Sequence, residues 1–421
     1  MARARIVPRL VVSCAVALAS SGLPAATHAD TAALRQAPAP VLAADNVQRL
    51  RDEIKAAEEI LPRLVDRAAA LYLLAHHYAR LGEHAKALSL LKQCVALNEE
   101  FDPARVKAFA PLESDPEFRD LVERARRQNP PVHRARVAFT VAQTDLFPEG
   151  LAADAPKRVF YMGSEYHNKI VAISEAGEVT DFVKEGTFDL MPVGGVHVDP
   201  MDHSVWCATD PGAKNRSEIV HFDAQGKLLE RYTPTTPGPH ALNDLVLRGT
   251  NEIYVTDTEG NRVFRFDRES HRFTELNLGR PVFGPNGITV SDDGDVLYVG
   301  DDLGVIRMDL RTNQVQDVKP AARDTMAGID GLYWYKGSLV GVEYGTGAYR
   351  VVRWKLSADG GEARSSETLE RGTEMVRNPT TGAIMDGKFY FMANTGIANL
   401  ENGKIDPKKL QPLHIAVVTL R

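Results

Sequence analysis

The chain is expected to be mainly β, a six-bladed β-propeller preceded by a small all-α, tetratricopeptide-like helical domain. Three observations lead there. From Val132 onward, short Val/Ile/Tyr/Phe runs alternate with Gly, Asp and Asn turns, with almost no helical period. A two-strand unit recurs six times within that region. Before it, from Asn46 to Gln128, apolar residues return at helical spacing instead.

The stretch Phe283 to Asp301, FGPNGITVSDDGDVLYVGD, defines the unit. Pro285-Asn286-Gly287 leads into a short apolar strand, Ile288 to Val290. Ser291 to Gly294 make a tight polar turn, and Val296 to Val299 form a second strand. Asn, Asp and Gly tolerate the positive φ that hairpin turns require, and β-branched residues suit a pleated sheet. The counterparts are EGLAAD from Glu149, GGVHVD from Gly194, NDLVLR from Asn243, NGITVS from Asn286, DGLYWY from Asp330 and TGAIMD from Thr381, starting 43 to 51 residues apart. Each is followed by a second strand: VFYMG, SVWCAT, EIYVTD, VLYVGD, SLVGVE and KFYFMA. A period of ~40–50 residues with several short strands is the signature of a propeller. Arg136 to Val141 precedes the first unit and Ile415 to Leu420 ends the chain. These two are expected to pair in one blade, leaving no long edge open.

The innermost strand of each blade runs along the central channel, so equivalent positions form a ring. That ring is Glu149, Gly194, Asn243, Asn286, Asp330 and Thr381. Two residues on, the same strand face carries Leu151, Val196, Leu245, Ile288, Leu332 and Ala383, all apolar. Five of the six ring residues are followed by Gly, which lets the backbones close in on the axis; Asp244 is the exception. Two carboxylates and two carboxamides on one axis repel or go unsatisfied unless something positive sits among them. Glu149 and Asp330 balance a divalent cation, with Asn243 and Asn286 adding neutral oxygens. An all-oxygen set suits Ca²⁺ first, then Mg²⁺ or Mn²⁺, whereas Zn²⁺ ordinarily attracts His or Cys. Taken singly, each of the four is more often a turn residue. Their recurrence at one ring level favours a metal.

His240, in the Pro237-Gly238-Pro239 loop before Asn243, is a candidate substrate contact or base, set against an ordinary surface-loop histidine. His197 is out of phase with the channel and is expected to pack between blades. No Gly-x-Ser-x-Gly elbow, phosphate loop or Cys-x-x-Cys pair supports a serine nucleophile or nucleotide chemistry.

Glu149-Gly150, Asn243-Asp244, Pro285-Asn286-Gly287 and Asp330-Gly331 resemble, in order and spacing, the motifs of the SMP-30/gluconolactonase (regucalcin-like) family, over roughly Val141 to Leu420. Paraoxonases and strictosidine synthase-like proteins share the fold and parts of these motifs. The resemblance implies a six-bladed propeller holding one divalent cation on Glu149, Asn286 and Asp330. It places Asn243 beside the metal, against substrate or water, and makes Asp244 the general base of a lactone hydrolase. One position departs from it. Sugar-lactone hydrolases of the family carry Arg two residues before the Asn-Asp pair, and here that residue is Ala241. A less polar lactone or ester therefore becomes the expected substrate. The rival expectation, from another class, is a non-catalytic propeller that binds a protein or ligand around a structural metal.

Towards the amino terminus, Leu74 to Asn98 resembles one tetratricopeptide repeat, with Gly82 as its turn, and Ser114 is expected to cap a third helix ahead of Pro116. His76, His77 and His84 are read as solvated rather than as ligands, since adjacent histidines on a helix point to different faces. One repeat cannot bury its apolar faces alone. The short link Gln128 to Val132 therefore predicts docking on the propeller next to the first blade, shaping the channel mouth, with a protein partner as the alternative use.

Arg3, Arg5 and Arg9, the apolar run Leu10 to Ala19 and the small residues through Ala29 form the pattern of a secretory signal peptide cut after Ala26 or Ala29. The expected organisation is a signal peptide over 1–29, a linker over 30–44, a helical domain over 45–128 and the propeller over 132–421. The expected location is periplasmic or secreted. No further run approaches the ~18 apolar residues of a membrane span. The formal net charge of -6 and the lack of a basic stripe give no support to a nucleic-acid partner; the expected partner is the small-molecule lactone or ester that the resemblance implies. Cys94 and Cys207 sit in apolar runs and read as buried free thiols.

Overall fold

The computed structural model describes residues 44–97, 100–401 and 404–421. The expected signal peptide and nearly all of the linker lie outside the described residues. Among those residues the propeller comprises five four-stranded sheets and one five-stranded sheet, with a small two-stranded hairpin besides. The innermost strands are Leu151–Asp154, Val193–Val198, Leu242–Arg248, Ile288–Val290, Ile329–Tyr335 and Gly382–Met385. Each lies against the next, and the sixth returns to the first, which closes the ring. Within each blade the strands pair antiparallel outward from the channel.

The glycines that follow five of the six ring residues stand where strands meet closely, as three of them show. A Cβ on Gly150 would stand 2.2 Å from the Gly194 carbonyl oxygen, one on Gly195 2.6 Å from that of Asn243, and one on Gly287 2.6 Å from the Leu332 nitrogen. At these glycines neighbouring inner strands approach closer than any side chain allows. The apolar mass is divided into wedges between blades. Phe160, Met162 and Val171 of blade 1 meet Tyr390 and Ile415 of blade 6, while Tyr298 and Val305 of blade 4 meet Leu339 and Trp354 of blade 5. Alternation along each strand supplies both faces of every wedge.

The two chain ends close blade 6 as expected: Arg136–Val141 pairs antiparallel with Leu413–Thr419, from Arg136 opposite Val417 to Val141 opposite Leu413. Just upstream, Val132–His133 adds an unforeseen fifth strand to blade 5, opposite Arg371 and Glu370. Among the described residues Cys94 and Cys207 are buried thiols outside any disulfide, the Cys94 thiol donating to the Ala68 carbonyl at 3.6 Å.

Four α-helices precede the propeller among the described residues: α1 (Ala44–Ile60), α2 (Arg67–Arg80), α3 (His84–Ala96) and α4 (Pro116–Gln128). Asp66 caps α2, accepting from the Ala69 N–H at 2.9 Å, and Gly82, at φ 78°, turns the chain into α3. Asp115, rather than Ser114, caps α4, accepting from the N–H groups of Glu117 at 2.7 Å and Phe118 at 3.4 Å. The carboxylate beside Pro116 outcompetes the hydroxyl one place further out.

The helices dock on the propeller, but not beside its first blade. Their core of Leu71, Leu74, Leu91, Phe109 and Phe118 takes in Phe283 and Leu303 from blade 4. Asp102 N–H donates to the Thr346 carbonyl at 3.1 Å, and Glu100 meets Arg371 and Arg350 of blade 5. The helices therefore lie over the loops of blades 3 to 5, on the face where the inner strands begin. His76 and His77 consequently border the space between helices and propeller instead of solvent, and His77 is buried with Nε2 3.0 Å from Glu53 of α1.

Candidate functional site

Glu149, Asn243, Asn286 and Asp330 converge at the start of their inner strands, as the repeat register requires. Glu149 is 4% exposed and Asp330 7%. Asn286 Nδ2 donates to Asp330 Oδ1 at 2.6 Å, and the Asn286 N–H is fixed on the Gly300 carbonyl at 3.0 Å. That leaves Asn286 Oδ1 buried with no hydrogen-bond partner in the protein, and Glu149 Oε2 is in the same position. At the sixth ring position the Thr381 hydroxyl donates to the Glu149 carbonyl, so it locks blade 6 to blade 1 and leaves the axis to the others.

Asp244 lies between the inner strands of blades 3 and 4. Its Oδ1 accepts from the Leu245 N–H at 2.8 Å and Oδ2 from the Ile288 N–H at 3.4 Å. Burial pushes its carboxyl up to about 7, with the Asp330 charge adding to the effect. Asp330 is likewise pushed up to about 7 by burial, and Glu149 is raised well above the carboxylate range by burial and by Asp330, Glu165, Asp210 and Asp244 around it. Tyr333, whose hydroxyl accepts from the Gly382 N–H at 2.7 Å, is raised by burial and then by Asp244.

Glu165 and Asp210 belong to this acidic set although the ring argument missed them. Both are raised by burial, Asp210 to about 7, and each follows directly on the second strand of its blade. The signal was in the repeats: an acid stands at or just after the end of the second strand in blades 1 to 5, at Glu165, Asp210, Asp257, Asp301 and Glu343. Among the described residues no three His, Cys, Asp or Glu side chains are grouped so as to hold an ion by themselves. The ring set has two carboxylates, and its remaining donors are carboxamides.

His240 is not brought into this cluster. Its Nδ1 donates to Asp257 Oδ2 at 2.6 Å and its Nε2 to the Thr236 carbonyl at 2.8 Å, so both nitrogens carry protons. The bond to Asp257 is the main cause of its raised pKa. Buried Asp257 also accepts from the Ala241 N–H at 2.8 Å and the Gly260 N–H at 3.0 Å, folding the Pro-Gly-Pro loop back against blade 3. His240 thus clasps this loop to blade 3, with both ring nitrogens engaged within the protein. His197 is held neutral by burial, which pushes its pKa down to about 4.

A cavity of ≈ 70 Å³ lies over the ring, with Asn243, Asn286 and Asp330 on one side and Arg49, His76 and Arg80 of the helices on the other. A wider groove of ≈ 310 Å³ between blades 2 and 3, lined by Trp206, Tyr232, Phe266 and Arg268, lies away from these donors. The smaller space marks the site, because three residues of the ring set, Asn243, Asn286 and Asp330, line it.

Fold and ring together define the protein as a six-bladed β-propeller with an acidic channel mouth under a helical layer. No protein-family model and no curated protein matches the chain. Solved structures similar to it include a gluconolactonase from Xanthomonas campestris, 15% identical with a TM-score of 0.49, covering 70% of this chain and 98% of its own. A streptogramin B lyase is 14% identical with a TM-score of 0.48, covering 68% and 97% respectively. A virginiamycin B lyase from Staphylococcus aureus is 18% identical with a TM-score of 0.46, covering 67% and 98%. At such identities the chemistry has to be argued from the side chains of this site.

Proposed function

We propose that the protein is a divalent-metal-dependent hydrolase of a lactone or related ester. The observation that carries this is the pair of buried, unpartnered acceptors, Asn286 Oδ1 and Glu149 Oε2, beside Asp330. Buried acceptors without donors are costly, and a cation removes that cost. The donors fit one: Glu149 and Asp330 supply two negative charges, while Asn286 and Asn243 supply neutral oxygens. That chemistry favours Ca²⁺, with Mg²⁺ or Mn²⁺ next and Zn²⁺ last. When bound, such an ion polarises a carbonyl and stabilises negative charge on its oxygen. Asn243, on the cavity wall, orients the substrate or the attacking water. Asp244, held by two backbone N–H groups, takes the proton from water as the water oxygen attacks the carbonyl carbon. The ester C–O bond then breaks and the leaving oxygen takes the proton back from Asp244, giving a hydroxy acid from a lactone, or an acid and an alcohol from an open ester. An arginine-flanked apolar stretch at the amino terminus supports a periplasmic or secreted location.

The second reading is a non-catalytic propeller with a structural cation. The narrowness of the roofed cavity favours it. Assay of a lactone and aryl-ester panel with and without chelator separates the two. The hydrolase loses turnover on chelation and regains it with Ca²⁺. The binding module turns over nothing, and chelation only lowers its melting temperature.

A further inference from the structure

The helical segment lies over the site. On the blade 5 side, Thr325 Oγ1 donates to Asp66 Oδ2 at 2.6 Å, and the Tyr72 hydroxyl donates to the Thr346 carbonyl at 3.0 Å. On the blade 3 side, Asn261 Nδ2 donates to Glu53 at 3.1 Å, while Asn261 Oδ1 accepts from the Gly284 N–H at 2.9 Å. These ties hold α1 and α2 across the channel mouth. Between them α2 presents His76 and Arg80 to the cavity whose far wall is Asn243, Asn286 and Asp330.

Both adjacent histidines border this cavity, and their other contacts differ. His77 turns to Glu53, while the His76 ring packs edge-on against Phe109, with centroids 6.2 Å apart, and borders the cavity. Burial, helped by His77 and Arg80, holds His76 uncharged. A neutral imidazole offers one donor and one acceptor. The cavity of ≈ 70 Å³ is small beside the roughly 300–1,000 Å³ of common ligand pockets. A space of that size favours a compact molecule.

We infer that the helical segment supplies the roof of the binding site and that His76 is a specificity-determining residue, meeting an oxygen substituent of a compact lactone on the side opposite its scissile carbonyl. This rests on the hydrolase reading, and the test keeps the two apart.

Full-length wild type, His76→Ala, His76→Gln and Asp330→Asn are assayed on five- and six-membered lactones with and without a ring hydroxyl. His76→Ala is expected to reduce the preference for the hydroxylated lactone, as a ratio of kcat/KM values, by about tenfold and mainly through KM. His76→Gln, which keeps a donor and an acceptor, recovers part of that preference. Asp330→Asn silences both substrates. An unchanged ratio in His76→Ala, with Asp330→Asn silent, overturns the roof inference and leaves the hydrolase reading standing. Should wild type turn over no lactone, the hydrolase reading fails and the roof is judged by binding. A hydroxylated six-membered lactam is then titrated into wild type carrying ¹⁵N-labelled histidine. Movement of the His76 ring resonances supports the roof, and their constancy overturns it.

Discussion

Asn286 shows how much one ring residue does. Its N–H is tied to blade 4, its Nδ2 orients Asp330, and its Oδ1 is left buried for something positive. Asp330 and Asp244 lie close together but have separable roles. Asp330→Asn is expected to cut turnover by ~10²-fold or more and to lose the cation, whereas Asp244→Ala cuts turnover as deeply but keeps it. Steady-state kinetics with metal analysis of both variants checks this; loss of the ion from Asp244→Ala alone would reverse the assignment. The equivalent positions of the four ring residues on their strands were legible because the repeat fixes the register, while the cation they would hold is a proposal. The bond from His240 to Asp257, seventeen positions on, was not legible, because no local pattern shows which polar neighbour an imidazole will choose.

Among the elements, the inner strands are held by absence of side chains. Gly287→Ala would set a Cβ 2.6 Å from the Leu332 nitrogen and 2.9 Å from the Asp330 carbonyl oxygen. Separating those strands is expected to cost about 1–3 kcal/mol, read by urea unfolding, and to weaken cation binding at Asp330. In the helical layer, Asp66 both caps α2 and receives the Thr325 hydroxyl. Asp66→Ala should cost about 1–2 kcal/mol. The link near Asn129 is pinned, since the Pro130 carbonyl accepts from Arg371 and Val132–His133 joins blade 5. Limited proteolysis should therefore cut there slowly and leave the helices attached; quick release of a free helical fragment would contradict the docking. The need to dock was readable in apolar faces too broad for one helix pair. The place was not. Contacts such as Tyr72 to Thr346 and Asp66 to Thr325 join residues more than two hundred positions apart, and a short linker restricts distance without giving direction.

For the molecule as a whole, the buried acids link stability to pH and metal. Asp210, Asp244 and Asp330 are each pushed up to about 7, and Glu149 and Glu165 are raised well above the usual range. Their folded values exceed their unfolded ones, so the metal-free native state holds protons that the unfolded chain has released. That stability is fully present below about pH 4 and is lost as pH rises through about 7. His76 and His197, held neutral, act in the opposite sense as pH falls below about 6.5, but the carboxyls outnumber them. The melting temperature of chelated protein should therefore fall between about pH 5 and 7.5, and Ca²⁺ should restore most of it at the upper end. A flat profile, unmoved by Ca²⁺, would argue against a cation among these groups. The most direct test of the central claim is metal content and lactone turnover measured on the same samples of wild type and Asp330→Asn. The account predicts one divalent cation per wild-type chain, none in the variant, and turnover that disappears with the ion. Metal-free wild type hydrolysing lactones at an undiminished rate would contradict it.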